Sequence, residues 1–272
     1  MKNVFITILL FLFVPNFTVL AQQNAHTDSI SNTTSLYTPR VKKPKPITKE
    51  RSVGLRLNSD GYTVFFETGK SIGQDAKRIE NLHDTRLWQF EFSEKNAPKE
   101  LRMYGWDRDK QSDKKYVFAK TNSFYALKFN YIYRKMIAGK PFAKTVSVHW
   151  VNGAGLAIGL LKPYYINAYD GAGALKPMKY TPENAEYFLN TYRITGSSGL
   201  IKGIGETKII PGLHLKTALH FDYSKNKFWV TAIETGATAE IYTSKIELMA
   251  NQKSQQYFFN VYAGFQFGNR RR

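Results

Sequence analysis

The clearest pattern in the chain is alternation with period two near its C-terminal end. Tyr257, Phe259, Val261, Ala263, Phe265 and Phe267 fall on one face of a strand, and Asn260, Tyr262, Gly264, Gln266 and Gly268 on the other. Successive side chains of a strand point to opposite faces. A segment of about ten residues with one apolar face is the unit of a transmembrane β-barrel. The same alternation predicts strands over 53–58, 62–68, 86–93, 121–134, 146–160, 213–223 and 229–241. In 86–93, for example, Trp88, Phe90 and Phe92 oppose Gln89, Glu91 and Ser93. In 213–223, Leu213, Leu215, Leu219 and Phe221 oppose His214, Lys216, His220 and Asp222. With the terminal strand the count is eight, and an even count closes an antiparallel barrel with both ends on the periplasmic side.

Connections follow from the strands. Loops 94–120, 169–211 and 244–256 are expected outside the cell, and 136–144 and 225–227 in the periplasm. Connection 70–85 is long for its side, and the helical spacing of Ile72, Ala76, Ile79 and His83 predicts a short helix there. Asn58-Ser59-Asp60-Gly61 serves as a hairpin turn, with a bulge as the alternative. The aromatic-ended last strand has the form that bacterial barrel-assembly machinery recognises, which makes Phe259, Phe265 and Phe267 the candidate signal residues.

Ahead of the first strand the pattern changes. Residues 1–21 combine a basic start, an apolar run from Val4 to Pro15 and a Val19-Leu20-Ala21 junction, the form of a secretory signal peptide. Residues 22–51 are polar, then basic at Arg40, Lys42, Lys43, Lys45, Lys49 and Arg51, which predicts a disordered periplasmic arm before a barrel over 52–272. Asp28-Ser29-Ile30 is similar to an O-glycosylation triplet of exported Bacteroidota proteins. The chain has no cysteine, which excludes a lipoprotein anchor, disulfides and thiolate chemistry.

Composition sharpens the picture. Aromatic residues make up 15% of the chain while the mean hydropathy is −0.39, a combination natural to a barrel with a polar lumen. A soluble β-sandwich or soluble barrel would alternate too, but the signal peptide and the aromatic-ended last strand favour the membrane form.

Three blocks carry a family resemblance: Lys120 to Tyr131, then Gly159-Leu-Leu-Lys-Pro-Tyr-Tyr165, then the terminal strand. Together they resemble a family of small outer-membrane barrels of Bacteroidota, across roughly 52–272. Some small barrels of that phylum are accessory subunits of barrel-assembly or type IX secretion machinery. Similar barrels are mostly without an assigned role. The resemblance implies a barrel fold and, as for the accessory subunits among them, a part in assembly or secretion, and it transfers no catalytic residues.

The residues that could carry chemistry lie in three places. On the strand phase above, the lumen would hold Arg56, Glu67, Glu91, Lys128, Arg134, His149, Lys216, His220, Asp222, Glu234 and Glu240. Eight strands leave room only for side chains, so these charges are expected to pair with one another. Ser147, His149 and an acid such as Glu234 could form a hydrolytic triad. On this phase, however, Ser147 and His149 point inward, whereas an enzyme acting on lipid must face the membrane. No Gly-x-Ser-x-Gly elbow and no metal-ligand spacing occur. No catalytic, metal or cofactor residues are therefore assigned.

The second place is the periplasmic end. Lys and Arg total 39 against 21 acids, and the excess gathers at the arm, at the short connections and at Arg270, Arg271 and Arg272. Those three are candidate partner-binding residues, for an acidic periplasmic protein or for phospholipid. Nucleic acid is excluded by compartment. The third place is the insert 169–211. Thr181 and Pro182 start a helix whose stripe includes Ala185, Phe188, Leu189 and Tyr192, and Leu200, Ile201, Ile204, Ile209 and Ile210 resemble a hairpin. Phe188, Leu189, Tyr192, Leu200 and Ile201 are candidate partner-binding residues, since exposed apolar patches mark interaction sites. The expected role is a non-enzymatic subunit of a larger outer-membrane complex in protein assembly or secretion. The partners are then outer-membrane or periplasmic proteins, with lipopolysaccharide and phospholipid around the wall. The alternatives are an adhesive or envelope-stabilising barrel and a lipid A-modifying enzyme.

Overall fold

The computed structural model describes residues 47–72, 84–98, 100–107, 110–139, 145–226, 228–250 and 252–271. The segment read as a signal peptide, most of the expected arm, Asp28-Ser29-Ile30, the helix expected within 70–85 and Arg272 lie outside the described residues.

Thirteen strands are formed among the described residues: β1 (Lys49–Asn58), β2 (Gly61–Ser71), β3 (Thr85–Lys95), β4 (Arg102–Asp107), β5 (Lys110–Val117), β6 (Asn122–Ala138), β7 (Ser147–Pro163), β8 (Tyr165–Tyr169), β9 (Leu175–Lys179), β10 (Ile194–Ser197), β11 (Lys208–Asp222), β12 (Trp229–Ile246) and β13 (Gln255–Arg271). Eight of them close a barrel in the order β1-β13-β12-β11-β7-β6-β3-β2, and β2 returns to β1. Every neighbouring pair is antiparallel. These are the eight strands that the alternation predicts, on the predicted phase. Ser59 and Asp60 turn β1 into β2 with Asn58 facing Gly61, so the hairpin turn holds and the bulge does not occur there.

The barrel is inside-out relative to a water-soluble one. Large apolar side chains such as Phe90, Phe129, Leu156, Leu215, Phe259 and Phe265 are exposed on the wall, while charged residues fill the interior. Burial of apolar area drives a soluble fold; here that area is left outward in a continuous band, which only a lipid environment satisfies. The ladder leaves no free edge, as spanning strands require. The chain is a membrane-spanning β-barrel.

The wall strands run past the predicted limits. β12 reaches Ile246 and β13 begins at Gln255, because above the apolar band the outward residues become polar (Thr243, Lys245) and hydropathy no longer alternates. At the other end β1 starts at Lys49, so the last residues assigned to the arm belong to the wall.

The long-loop end carries a small folded head. Residues 94–120, expected to be a plain loop, contain the β4-β5 hairpin. The second insert lies between β7 and β11, residues 164–207 rather than 169–211, and builds the sheet β10-β8-β9. The expected helix start is found: Thr181 precedes Pro182–Asn184 in a 3-10 turn that runs into α1 (Ala185–Phe188). The hairpin expected over 200–210 is absent. Ile204 sits in a 3-10 turn, and Ile209 and Ile210 are part of the wall strand β11. The β4-β5 hairpin crosses β10 at backbone contact. A Cβ on Gly105 would meet the Thr195 carbonyl oxygen at 2.1 Å, and Gly196, at φ +147°, lies against Lys114.

Candidate functional site

The lumen is filled along its length by a connected ion-pair network. At the short-connection end Arg270 bridges Asp222 (Nη2 to Oδ2, 2.5 Å) and Glu50 (Nε to Oε2, 2.7 Å). Arg134 donates to Glu50 at 2.6 Å and to Glu67 at 2.7 Å. Arg56 lies 3.9 Å from Glu67, donates to Glu91 at 2.6 Å and approaches Glu234 at 3.3 Å, with Lys216 2.8 Å from the same Glu234 oxygen. Lys128 links Glu91 (3.7 Å) to Glu240 (2.6 Å), and Lys95 joins Glu240 (3.1 Å) to Asp60 (3.0 Å) in the β1-β2 turn. Seven carboxylates and six cations thus alternate from one end to the other. All the ionisable lumen residues expected from the sequence are buried here.

Glu50, Lys95 and Arg270 were missed as lumen residues. Lys95 and Arg270 continue the inward phase two residues past Ser93 and Gly268, and Glu50 continues that of Arg56 back into the residues assigned to the arm, so extending the alternation finds them. Above the charges a layer of Phe124, Tyr242 and Phe258 closes the bore, with ring centroids 5.1 to 5.8 Å apart. The Tyr242 hydroxyl donates to Glu240 at 2.6 Å. Gly159 makes room for this layer, since a Cβ there would meet the Phe124 ring at 2.7 Å.

Ser147 and His149 both face the lumen from β7. The Ser147 hydroxyl and His149 Nδ1 make no hydrogen bond. The His149 ring lies beside His220, at 5.8 Å between centroids, and His220 Nδ1 is 3.6 Å from Glu234 Oε2. The three groups share a region without forming a relay, and they are shut away from the lipid-facing surface.

The head has its own apolar core, built from Tyr116, Ile166, Ala168, Phe188 and Ile194. Phe188 is 1% exposed and Leu189 half-buried, so these two hold the head together and are not a free docking surface. Tyr192, Leu200 and Ile201 are 76%, 77% and 84% exposed, the placement the docking assignment needs. Lys179 and Tyr165 converge on Glu206. The Tyr165 hydroxyl donates to Oε1 at 2.6 Å, and the Lys179 ammonium pairs with Oε2. These hydrogen bonds, Lys179's first, hold the Glu206 carboxyl below its usual range, and Glu206 in turn raises the pKa of Lys179. At the β8-β9 turn Asp170 accepts from Lys176 and from the Ala174 and Ala172 amides, which lowers its pKa.

At the other end, Arg270 is 8% exposed. It belongs to the lumen network rather than to a basic docking rim, because the inward phase of β13 carries it into reach of Glu50 and Asp222. Arg271, on the opposite phase, is exposed. Phe259, Phe265 and Phe267 are exposed on the lipid face of β13.

No protein-family model matches the chain, and no curated protein sequence matches it. Among solved structures it is similar to Neisserial surface protein A, at 6% identity over 82% of this chain and 96% of that one, with a TM-score of 0.38. It is similar as well to Ail, the attachment invasion locus protein of Yersinia pestis, at 9% identity over 83% and 99%, with a TM-score of 0.35. The architecture described above rests on this chain's own strand pairing and not on those similarities.

Proposed function

We propose that the chain is a non-enzymatic barrel of the outer membrane, with the head outside the cell and the short connections in the periplasm. In this reading it acts as an accessory subunit of a larger complex for protein assembly or secretion. The observation that carries it is the division of labour between wall and head. The bore is occupied by paired charges and an aromatic layer. The head, by contrast, is folded on its own core and still leaves Tyr192, Leu200 and Ile201 bare. Exposed apolar groups on an ordered head favour contact with another macromolecule. The catalytic alternative has little support, since Ser147 and His149 are neither bonded to each other nor open to lipid.

Mild-detergent purification of the tagged protein, with mass-spectrometric identification of stoichiometric companions, tests the proposal. A component of an assembly or secretion machine should co-elute with the native protein and be lost from a Leu200→Glu/Ile201→Glu variant that still folds. Recovery of the barrel alone, with head-dependent binding to surfaces outside the cell, would replace the subunit role with an adhesive one.

A further inference from the structure

The outer surface of the wall at the short-connection end carries a charge arrangement unlike the paired charges inside. Arg271 of β13 faces Lys49 of β1, Lys49 faces Lys70 of β2, and Lys70 faces Arg86 of β3. All four side chains are outward and exposed, and Arg51 stands one step above Lys49 on the same face. Like charges directly opposite one another destabilise a sheet. At the same level inside the barrel, Arg134 and Arg270 are matched by Glu50 and Asp222. Outside, the exposed ion pairs among the described residues lie in the head, at Lys176–Asp170 and Lys179–Glu206, and Asp84, the carboxylate near Arg86, is bonded to the Tyr133 hydroxyl and the Met136 amide. Among the described residues, then, the row has no carboxylate paired with it.

The space beside the row has the shape of an amphiphile. A cleft of about 950 Å³ is bordered by Lys49, Arg51, Lys70 and Arg86, with Trp88 and Tyr131 at its membrane side. Trp88 and Tyr131 face each other across β3 and β6, with ring centroids 5.1 Å apart, and such rings sit at headgroup level. Further along the same strands an apolar groove of about 570 Å³ lies between Val53, Val64, Phe66, Phe90, Leu127 and Phe129. Cations, interfacial aromatics and apolar groove thus follow one another over β1, β2, β3 and β6.

We infer that this face binds one anionic phospholipid of the inner leaflet, its phosphate among Lys49, Lys70 and Arg86 and its acyl chains in the groove. The leaflet assignment rests on the outer-membrane orientation proposed above. The chemistry of the site, a phosphate joined to two long chains, does not.

The test uses the full chain in phosphatidylcholine vesicles and reads quenching of Trp88 by brominated-chain lipids, with Trp88→Phe as the blank. Brominated phosphatidylglycerol should quench more strongly than brominated phosphatidylcholine at equal mole fraction. That preference should fall by about five-fold for each cation removed, in Lys70→Gln and then in Lys49→Gln/Lys70→Gln/Arg86→Gln, and Lys70→Arg should retain it. Equal quenching by the two lipids, or a preference untouched by the substitutions, overturns the site. If inorganic phosphate abolishes the preference, the site is for free phosphate and the lipid is wrong. If lipopolysaccharide displaces phosphatidylglycerol, the leaflet is wrong. Should the triple variant fail to fold, Lys70→Gln and the salt dependence of the native protein give the same decision. Loss of the gel shift between unboiled and boiled native protein would count against the barrel itself, whereas equal quenching with the shift intact counts only against the lipid site.

Discussion

Arg56 shows how a single residue is held in this interior. Its guanidinium lies among Glu91, Glu234 and Glu67 and sits 3.9 Å over the Phe65 ring. Removing one partner of a buried pair leaves an uncompensated charge, at a cost of about 3–5 kcal/mol. Arg56→Met should therefore lower the urea midpoint of the folded barrel sharply, and Arg56→Met/Glu234→Gln should recover part of the loss by removing one of the orphaned carboxylates. A midpoint unchanged in the single variant would mean that the network does not hold the wall. The exposed Glu206 clip makes a different prediction. Its folded pKa is depressed, so its contribution is present above the unfolded Glu value and is lost as pH falls through the folded one. A carbon-detected NMR titration should find Glu206 protonating at lower pH than an ordinary glutamate, and Lys179→Met should move it back up. The lumen residues were legible because period two assigns each side chain to a face. Arg270 was not, since at the end of a basic sequence its charge suggests a solvated tail; its inward phase on β13 and its partners on β1 and β11 show otherwise.

At the scale of the element, the last strand combines a lipid face and a lumen face without a break from Tyr257 to Phe267. A charge on its outer face costs most at the membrane centre and least near the interfaces. Val261→Asp should reduce the heat-shifted, folded fraction more than Phe267→Asp, while Thr238→Ser, on the inner face of β12, should leave it unchanged. If the aspartate variants rank in reverse order, the placement of the band along β13 is wrong. All eight wall strands could be read from the sequence because lipid and a packed polar lumen enforce opposite chemistry on alternate residues. The head strands obey no such rule. β5 reads Lys-Gln-Ser-Asp-Lys-Lys-Tyr-Val, with no sustained apolar alternation, and β8, β9 and β10 are four or five residues long. Their pairing depends on contacts between distant segments, which periodicity does not report.

For the whole molecule, the central question is whether wall and head are separable. The interior is closed by paired charges below and by Phe124, Tyr242 and Phe258 above, so planar-bilayer recordings should show no steady porin-like conductance. The head core around Ile166, Phe188 and Ile194 is distinct from that aromatic layer. The two regions meet through a small cluster in which Phe118 and Leu189 pack near Ala97, Ala119 and Met249. A deletion that spares the wall must end before Lys208, because Ile209 and Ile210 are part of β11. Replacing residues 165–207 with a short turn removes Tyr192, Leu200 and Ile201 together with the sheet that carries them. The aromatic layer and the ion pairs remain, so the shortened protein should still shift on heating and stay non-conducting, and it should lose its companion outside the cell. A steady conductance after the deletion would mean that the head, and not the lumen, seals the bore. A shortened barrel that keeps its companion would move the docking surface to the wall or the periplasmic rim.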